Sequence, residues 1–436
     1  MCNSLTKSYM GTAIGLAYTE GLLKLEDRLI DIFPEYAPES PSKWIDKLTV
    51  RNVLVMGTGM RSFPSEEGNW VKNFINHEIV EEPGTTYFYN SVGSTFLGKI
   101  IERLTGKDVY TYLSEKLFDK IGIDSENIDH GIAPKEKDMW AWRTVSTTED
   151  NLRLMKLYAD GGVWDGERIL DEEYVKLATS LQNESASEQI GNPGFGDNYV
   201  GYGFQIWMCQ YPGAYRADGA GGQFSIVIPD KDMIISINEN AYGFRGPQKT
   251  LDLIWEEFMP LVNDNPLPED ADSYGRLKEK MRRLSHRAPE FRPYSPIKKQ
   301  VSGKYLVCEG SFSPYLETFH GFSIPDCESF ELSFENMRGM LTWHGKDRSS
   351  LQVSFLMNGQ RQYNSFVTPW QFATDCYASA YWKEDNKLCL ELLWPENGTD
   401  RTIDFCFEGE KAVLEEKVSG APGSAETVKR TVAYKQ

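Results

Sequence analysis

The sequence lacks the patterns that mark metal enzymes, membrane proteins and disulfide-stabilised domains. It has no His-Glu-x-x-His motif, and its five histidines lie far apart, so a metal site is not expected. It also has no Gly-x-Ser-x-Gly elbow for a Ser-His-Asp triad. No apolar run approaches the length of a membrane span. The seven cysteines form no Cys-x-x-Cys pair, which favours a reducing compartment over a disulfide framework or a zinc site.

Positive charge is also scarce. The 46 Lys and Arg residues face 64 Asp and Glu residues, which gives a formal net charge of −18. Such a surface repels polyanions, so the composition argues against nucleic acids and anionic membranes as partners. It mildly disfavours polyanionic substrates for the same reason.

A further absence is that of a signal peptide, because the sequence enters a small-residue, apolar segment directly. As written, the sequence predicts a cytoplasmic location. The first candidate nucleophile, Ser4, has no strand or helix before it to hold it in place. We therefore expect that an upstream segment is missing.

The distribution of apolar residues predicts two domains, because 436 residues exceed what one core usually supports. Residues 1–262 combine helical periodicity with alternating strands, which predicts an α+β domain with helices on an antiparallel sheet. Residues 263–300 are rich in proline and charge and predict a linker with a short helix. Alternating segments over 301–436 predict a β-rich accessory domain, a barrel or a sandwich, whose final twenty residues or so are polar and frayed.

The first motif is Ser4-Leu5-Thr6-Lys7, which opens a helix of small and apolar residues. Side chains at this spacing share one face of a helix, so Lys7 is expected beside Ser4. A lysine whose pKa is lowered by desolvation can remove the proton of a serine hydroxyl. The same spacing at Ser40–Lys43 and Ser295–Lys298 includes proline and does not enter an apolar helix. From the residues alone, a serine that only caps the helix remains the alternative.

Three segments in this order resemble the serine hydrolases of the β-lactamase and penicillin-binding-protein superfamily. They are Ser4–Lys7, Gly84–Ser91 and Tyr215–Gln223, and the resemblance extends over residues 1 to about 262. It is greatest to class C enzymes and to the related esterase and amide-hydrolase branches. The β-rich domain lies outside it.

The second segment implies a catalytic tyrosine. Where the superfamily has Tyr-x-Asn, this sequence has Tyr89-Asn90-Ser91. The resemblance therefore assigns a proton relay to Tyr89, through a tyrosinate-like oxygen, and puts the shorter Ser91 where the substrate-binding asparagine is usual. From the residues alone, the alternative is a core tyrosine at a strand end.

The third segment implies the wall of the site. Ala217-Asp218-Gly219 stands where the superfamily has Lys-Thr-Gly or His-x-Gly, and Gly219 would let substrate lie against the strand beside Ala217. The resemblance places the oxyanion hole at the backbone N–H groups of Ser4 and Ala220. The resemblance also implies that Trp207 or Tyr215 lines the pocket. A glycine-rich hairpin without chemistry is the alternative.

These features predict a serine hydrolase that cleaves a small ester, amide or peptide-like substrate through an acyl-enzyme on Ser4. The resemblance implies no metal or organic cofactor. Alanine at position 217 cannot hold a substrate carboxylate, which favours an esterase or amidase over an efficient β-lactamase. The alternative is a penicillin-recognising binding or sensor protein with a degenerate site, because Ser91 and Ala217 both depart from the superfamily pattern. The oligomeric state is left open.

Overall fold

The chain divides into two compact units, Met1–Val262 and Asn263–Gln436. The computed structural model describes residues 2–39, 43–128, 144–183, 196–241, 246–265, 267–284, 289–314, 325–366, 375–395, 399–418 and 428–436. Ser40, from one of the Ser-x-x-Lys matches, lies outside the described residues.

The described part of the first unit contains nine α-helices. They are α1 (Thr6–Thr19), α2 (Leu29–Ile32), α3 (Val50–Leu54), α4 (Trp70–Ile75), α5 (Ser91–Thr105), α6 (Val109–Leu113), α7 (Thr148–Ala159), α8 (Glu172–Ala178) and α9 (Gln248–Leu253). Local sequence sets several of these bounds. Thr49 and Thr147 cap α3 and α7, because each side chain accepts a hydrogen bond from a backbone N–H of the first turn. Gly106, in the left-handed conformation, ends α5.

A four-stranded antiparallel sheet and a separate two-stranded hairpin complete the first unit. The hairpin strands are β1 (Val163–Trp164) and β2 (Glu167–Arg168), and the sheet contains, in spatial order, β3 (Trp207–Met208), β4 (Tyr215–Gly219), β5 (Gln223–Ile228) and β6 (Met233–Asn238). Apolar and other residues alternate from Tyr202 to Trp207, which predicts a strand there, but β3 begins only at Trp207. Gln205 has a left-handed backbone (φ 58°), and its side chain donates a hydrogen bond to Leu54 O at 2.8 Å. The chain therefore bends before the strand begins.

Helix α1 is buried on every side over residues 6–17. Its glycines make this possible, because neighbouring groups lie directly against them. A Cβ added to Gly15 would come 2.5 Å from the ring of Tyr174. The hydroxyl of Tyr174 in turn donates a hydrogen bond to Gly11 O at 2.6 Å. These contacts fix α1 in the main hydrophobic core of the unit.

The described part of the second unit contains one ten-stranded sheet, which is antiparallel except for one parallel pairing. Its strands are β7 (Gly303–Glu309), β8 (Cys327–Glu335), β9 (Arg338–Gly345), β10 (Ser350–Leu356), β11 (Gln362–Ser365), β12 (Asp375–Glu384), β13 (Lys387–Trp394), β14 (Thr399–Glu408), β15 (Lys411–Val418) and β16 (Val428–Lys435). An additional pairing of Leu356 in β10 with Ser379 in β12 closes the sheet into a barrel. The β-rich domain is thus a barrel rather than a sandwich.

The strand β16 corrects the expectation that the final residues are frayed. It pairs with β15 on one side and with β7 on the other. Exposed lysine and arginine side chains give the segment its polar composition, but Val432 and Ala433 are buried in the barrel. The pairing of Val432 with Glu309 joins residues far apart in sequence, so local composition does not show it.

The segment predicted as a linker is partly built into the second unit. Helix α10 (Ala271–Arg283) corresponds to the predicted short helix. Further along, Arg292 pairs with Asp385 at 3.2 Å, and Arg292 O accepts a hydrogen bond from Trp382 N at 2.9 Å. Residues 289–300 therefore pack on the barrel.

Candidate active site

A short 3-10 turn, Asn3–Leu5, leads into α1 and carries Ser4. Two backbone hydrogen bonds hold it: Cys2 N donates to Thr144 O at 2.7 Å, and Leu5 N donates to Cys2 O at 3.1 Å. Asn3 has a left-handed backbone (φ 48°), a conformation that asparagine tolerates better than most side chains. The turn therefore presents Ser4, which is half-buried, at the edge of a rigid core.

Lys7 lies one turn further along the same face, as the spacing predicts. Its Nζ donates a hydrogen bond to Ser4 Oγ at 2.8 Å, and the residue is only 1% exposed. Burial lowers the pKa of Lys7 to about 7, because desolvation disfavours the ammonium form more than the charge of Asp218 favours it. Near neutral pH a large fraction of this amine is therefore unprotonated and able to accept a proton.

Tyr89 joins this pair from a different part of the chain. Asn90 caps α5 by accepting a hydrogen bond from Gly93 N at 3.1 Å, and Tyr89 precedes it. The Tyr89 ring centroid lies 5.1 Å from Lys7 Nζ. Burial raises the pKa of Tyr89 well above its usual value, although a hydrogen bond with Ser4 partly offsets this effect. The phenol therefore stays protonated at neutral pH, which favours a proton donor over the tyrosinate-like oxygen expected from the resemblance.

Ser91 is the first residue of α5 and is half-buried. The neighbouring Asn90 cannot substitute for the asparagine of the superfamily, because its amide oxygen caps the helix and its nitrogen contacts Met60 Sδ at 3.7 Å. At position 91 the chain thus has a hydroxyl where the superfamily has a carboxamide.

Strand β4 lies against the 3-10 turn Asn3–Leu5, which carries Ser4. A Cβ added to Gly219 would come 2.1 Å from Cys2 O, so only glycine permits this approach. Asn3 Nδ2 donates a hydrogen bond to Ala220 O at 2.6 Å, which ties the turn that carries Ser4 to the end of β4. The two backbone segments that would form the oxyanion hole are therefore linked by a side chain.

The two faces of β4 have different surroundings. Tyr215 and Ala217 are buried in the main core with α1. The opposite face carries Arg216, whose guanidinium carbon lies 5.8 Å from the Trp207 ring centroid. Trp207 stacks on Tyr89, with centroids 5.5 Å apart and an interplanar angle of 27°. Trp207 thus contacts the candidate site through Tyr89, whereas Tyr215 packs beneath the sheet.

A family model described as Beta-lactamase matches residues 2–256, which is more than half of the chain. The chain belongs to the beta-lactamase family. The matched residues cover nearly all of the first unit, including every segment of the candidate site.

Several proteins similar to this beta-lactamase family member have been described. Penicillin-binding protein 4 from Amycolatopsis lactamdurans is 23% identical in an alignment of 275 positions that covers 55% of this chain and 71% of that protein. An octameric penicillin-binding protein homologue from Pyrococcus abyssi, known from its structure, is 17% identical and covers 99% of this chain and 87% of its own, with a TM-score of 0.43. A D-stereospecific amidohydrolase from Streptomyces sp. is 16% identical and covers 52% and 78%, with a TM-score of 0.41.

Sequence reasoning missed three residues at the site of this beta-lactamase family member. Asn3 was passed over because nothing local shows its bond to Ala220. Arg216 and Asp218, two positions apart on β4, share one face of the strand, and their ion pair at 2.7 Å is not predicted above. The alternation of two opposite charges along a strand is a signal that could have suggested it.

Two further features are absent from the part of the chain that the structure describes. Among the residues that the structure describes, no group of three or more His, Cys, Asp or Glu side chains could hold a metal ion. Within the same described ranges, no helix is long and apolar enough to cross a membrane.

Proposed function

We propose that this member of the beta-lactamase family is a serine hydrolase that cleaves an ester or amide bond through an acyl-enzyme on Ser4. The observation that carries the proposal is the buried contact of 2.8 Å between Lys7 Nζ and Ser4 Oγ. The pKa of Lys7, lowered to about 7 by burial, suits a general base at neutral pH.

In the first half of the reaction, neutral Lys7 removes the hydroxyl proton of Ser4 as Oγ attacks the substrate carbonyl. The resulting oxyanion accepts hydrogen bonds from the N–H groups of Ser4 and Ala220, each worth roughly 3 kcal/mol in comparable sites. Tyr89, which stays protonated, donates its proton to the leaving alkoxide or amine. The bond to the leaving group breaks, and Lys7 returns its proton to Tyr89.

In the second half, a water molecule attacks the acyl-enzyme. The water proton passes to Lys7, directly or through Tyr89, and Ser4 Oγ leaves as an alkoxide that is reprotonated by Lys7. The carboxylic acid product departs, and the site returns to its starting state. Atoms and protons balance without a metal or an organic cofactor.

The surroundings of β4 favour an esterase or amidase over an efficient β-lactamase. Ala217, buried in the core, has no charge to hold a substrate carboxylate. The cation next to it, Arg216, is 0% exposed and faces Asp218. A substrate without an essential carboxylate therefore suits the site better.

The test is labelling with a fluorophosphonate probe, combined with hydrolysis of a chromogenic ester. Ser4→Ala should lose both labelling and turnover. Ser295→Ala is the matched control, because Ser295 starts another Ser-x-x-Lys match in the barrel unit, and it should keep both. Labelling or turnover retained in Ser4→Ala would overturn the proposal. Stable acylation of Ser4 without turnover would instead support the recognition or sensor alternative.

A further inference from the structure

Three buried polar side chains meet beside the turn that carries Ser4. Cys2 lies two positions before Ser4 and is fully buried, as is Asn151 in α7. Ser146, just ahead of α7, is 8% exposed. The proposed mechanism assigns no step to any of the three, so their burial at this place requires another explanation.

These side chains form a closed ring of hydrogen bonds. Ser146 Oγ donates to Asn151 Oδ1 at 2.8 Å, and Asn151 Nδ2 donates to Cys2 Sγ at 3.7 Å. Cys2 Sγ and Ser146 Oγ are 2.8 Å apart. A serine hydroxyl has one proton, which Ser146 gives to Asn151, so the thiol of Cys2 is the donor to Ser146. Each member of this thiol ring (Cys2, Ser146 and Asn151) therefore donates to the next.

The amide of Asn151 connects the thiol ring to the helices and the sheet. Its Oδ1 also accepts a hydrogen bond from the Tyr9 hydroxyl at 3.0 Å, and its Nδ2 also donates to Asn238 Oδ1 at 3.4 Å. A carboxamide has two lone pairs on oxygen and two N–H donors, so all four are used here. Tyr9 belongs to α1 and Asn238 to β6. Rotation of this amide would break bonds to both elements, so the ring is fixed to the core of the unit.

The ring acts on the candidate nucleophile through the backbone of Cys2. Cys2 N donates a hydrogen bond to Thr144 O, and Cys2 O accepts one from Leu5 N, which closes the turn containing Ser4. Cys2 is thus held at its amide, its carbonyl and its thiol. A change in the direction of its side chain would shift the turn, and with it Ser4 Oγ and Ser4 N–H. In enzymes, a misplacement of about 1 Å can lower the rate about a hundredfold.

Packing alone does not account for the thiol at position 2. A free cysteine in a core usually behaves as a small apolar side chain. Cys2 Sγ instead contacts two polar groups, Ser146 Oγ and Asn151 Nδ2, and serves as donor to one and as acceptor from the other.

We propose that Cys2, Ser146 and Asn151 are positioning residues, whose ring of hydrogen bonds orients the turn Asn3–Leu5 so that Ser4 Oγ and Ser4 N–H meet the substrate carbonyl together. This inference rests on the proposed hydrolase function and adds to it the groups that hold the nucleophile in place. The three residues act through the turn, and no proton of the reaction passes through them.

The experiment follows fluorophosphonate labelling of Ser4 over time, which gives both a rate constant and the fraction of molecules labelled. Cys2→Ala opens the ring, and we expect the rate constant to fall about tenfold or more while the labelled fraction stays unchanged. Cys2→Ser supplies a donor and an acceptor again and should recover most of the rate constant. With a chromogenic ester, kcat should follow the same order and KM should change little.

A merely structural role predicts a different result. Loss of stability alone would lower the labelled fraction of Cys2→Ala and leave the rate constant of the folded molecules unchanged, and this result would overturn the inference. A rate constant in Cys2→Ser as low as in Cys2→Ala would overturn it as well. The control Cys376→Ala removes a fully buried thiol from the barrel and should keep both quantities.

A second variant covers the case in which Cys2→Ala does not fold. Ser146→Ala opens the same ring by removing a single oxygen atom, and it should lower the rate constant of labelling in the same way. An unchanged rate constant in Ser146→Ala would overturn the inference and leave the hydrolase function standing. Absence of any labelling of Ser4 in the unmodified protein would instead count against the hydrolase function itself, so the two failures are distinguishable.

Discussion

A buried cation of the barrel and a buried amine of the first unit differ in their surroundings. In the barrel, Arg401 is 1% exposed and pairs with Glu416, itself 4% exposed, at 2.8 Å. In the first unit, Lys7 is equally buried, but its hydrogen bond to Ser4 goes to a neutral hydroxyl. Burial lowers the pKa of Lys7 to about 7. Arg401 thus has a carboxylate beside it, whereas the pKa of Lys7 lets its amine exchange protons near neutral pH.

A second cation in the barrel supports this comparison. Partial burial would lower the pKa of Lys383, but the hydrogen bonds and charges of Asp404 and Cys389 together outweigh that effect and raise it. Acidic groups close to a lysine thus favour its ammonium form. At Lys7 the charge of Asp218 also raises the pKa, but its effect is smaller than that of burial.

The largest expected effect is on catalysis. Lys7→Met should lower kcat/KM for a chromogenic ester by about a thousandfold or more, because the general base is lost. In the unmodified protein, the acylation rate should fall about tenfold per pH unit below an apparent pKa near 7, since only the neutral amine accepts the proton. Burst-phase kinetics across pH 5 to 9 measure this. A profile that is flat through pH 7 would contradict the lowered pKa of Lys7, on which the comparison depends.

The next effect concerns the barrel. Glu416→Ala should destabilise the second unit by about 3–5 kcal/mol, because Arg401 would be left buried without its carboxylate. The double variant Arg401→Met/Glu416→Leu should recover most of this loss, since it removes both charges. Urea unfolding followed by tryptophan fluorescence measures both. A loss below about 1 kcal/mol in Glu416→Ala would show that the pair is not needed to compensate the charge.

Lys7→Met should have the opposite effect on stability from Glu416→Ala. The pKa of Lys7 is about 7 in the folded state and 10.5 in the unfolded chain. The unfolded chain therefore binds more protons than the folded chain between these two pH values. The free energy of unfolding of the unmodified protein therefore rises with pH between these two values. At pH 7 the variant should be more stable by a few kcal/mol, and the gain should disappear above the unfolded pKa. Denaturant midpoints at pH 7 and pH 10.5 test this, and a less stable variant at pH 7 would contradict it.

The smallest effect tests the link between Asn3 and Ala220. Asn3→Gly keeps the left-handed backbone but loses the hydrogen bond of 2.6 Å. We expect kcat to fall about tenfold with little change in KM. The backbone N–H groups of Ser4 and Ala220, proposed to bind the oxyanion, would no longer be held in position relative to each other. Asn336→Gly is the control in the barrel, since Asn336 has a similar backbone (φ 52°). It should leave kcat unchanged; an equal fall in both variants would contradict the role of Asn3.

What the sequence could predict was mostly local. The contact of Lys7 with Ser4 follows from their spacing on a helix, and Thr49 and Gly106 mark helix ends through the hydrogen bonds and backbone conformation they permit. The approach of Tyr89 depended on the family resemblance, because no local pattern links it to Ser4.

The rest depended on contacts between distant residues. The hydrogen bond from Asn3 to Ala220 joins residues 217 positions apart, and it forms only when the turn Asn3–Leu5 packs against β4. The surroundings of Arg216 likewise depend on Trp207, which is its pairing partner in the neighbouring strand β3. The raised pKa of Tyr89 likewise comes from burial by residues that the local sequence does not identify.

The position of β16 has a consequence for biosynthesis. This strand lies between β7 and β15, so the first strand of the barrel waits for one of its partners until Val428–Lys435 has left the ribosome. Until then β7 and β15 each expose an unpaired edge, which is prone to associate with other chains. The first unit needs none of these residues for its sheet. During translation, the first unit can therefore fold while the barrel is still open and in need of chaperone protection.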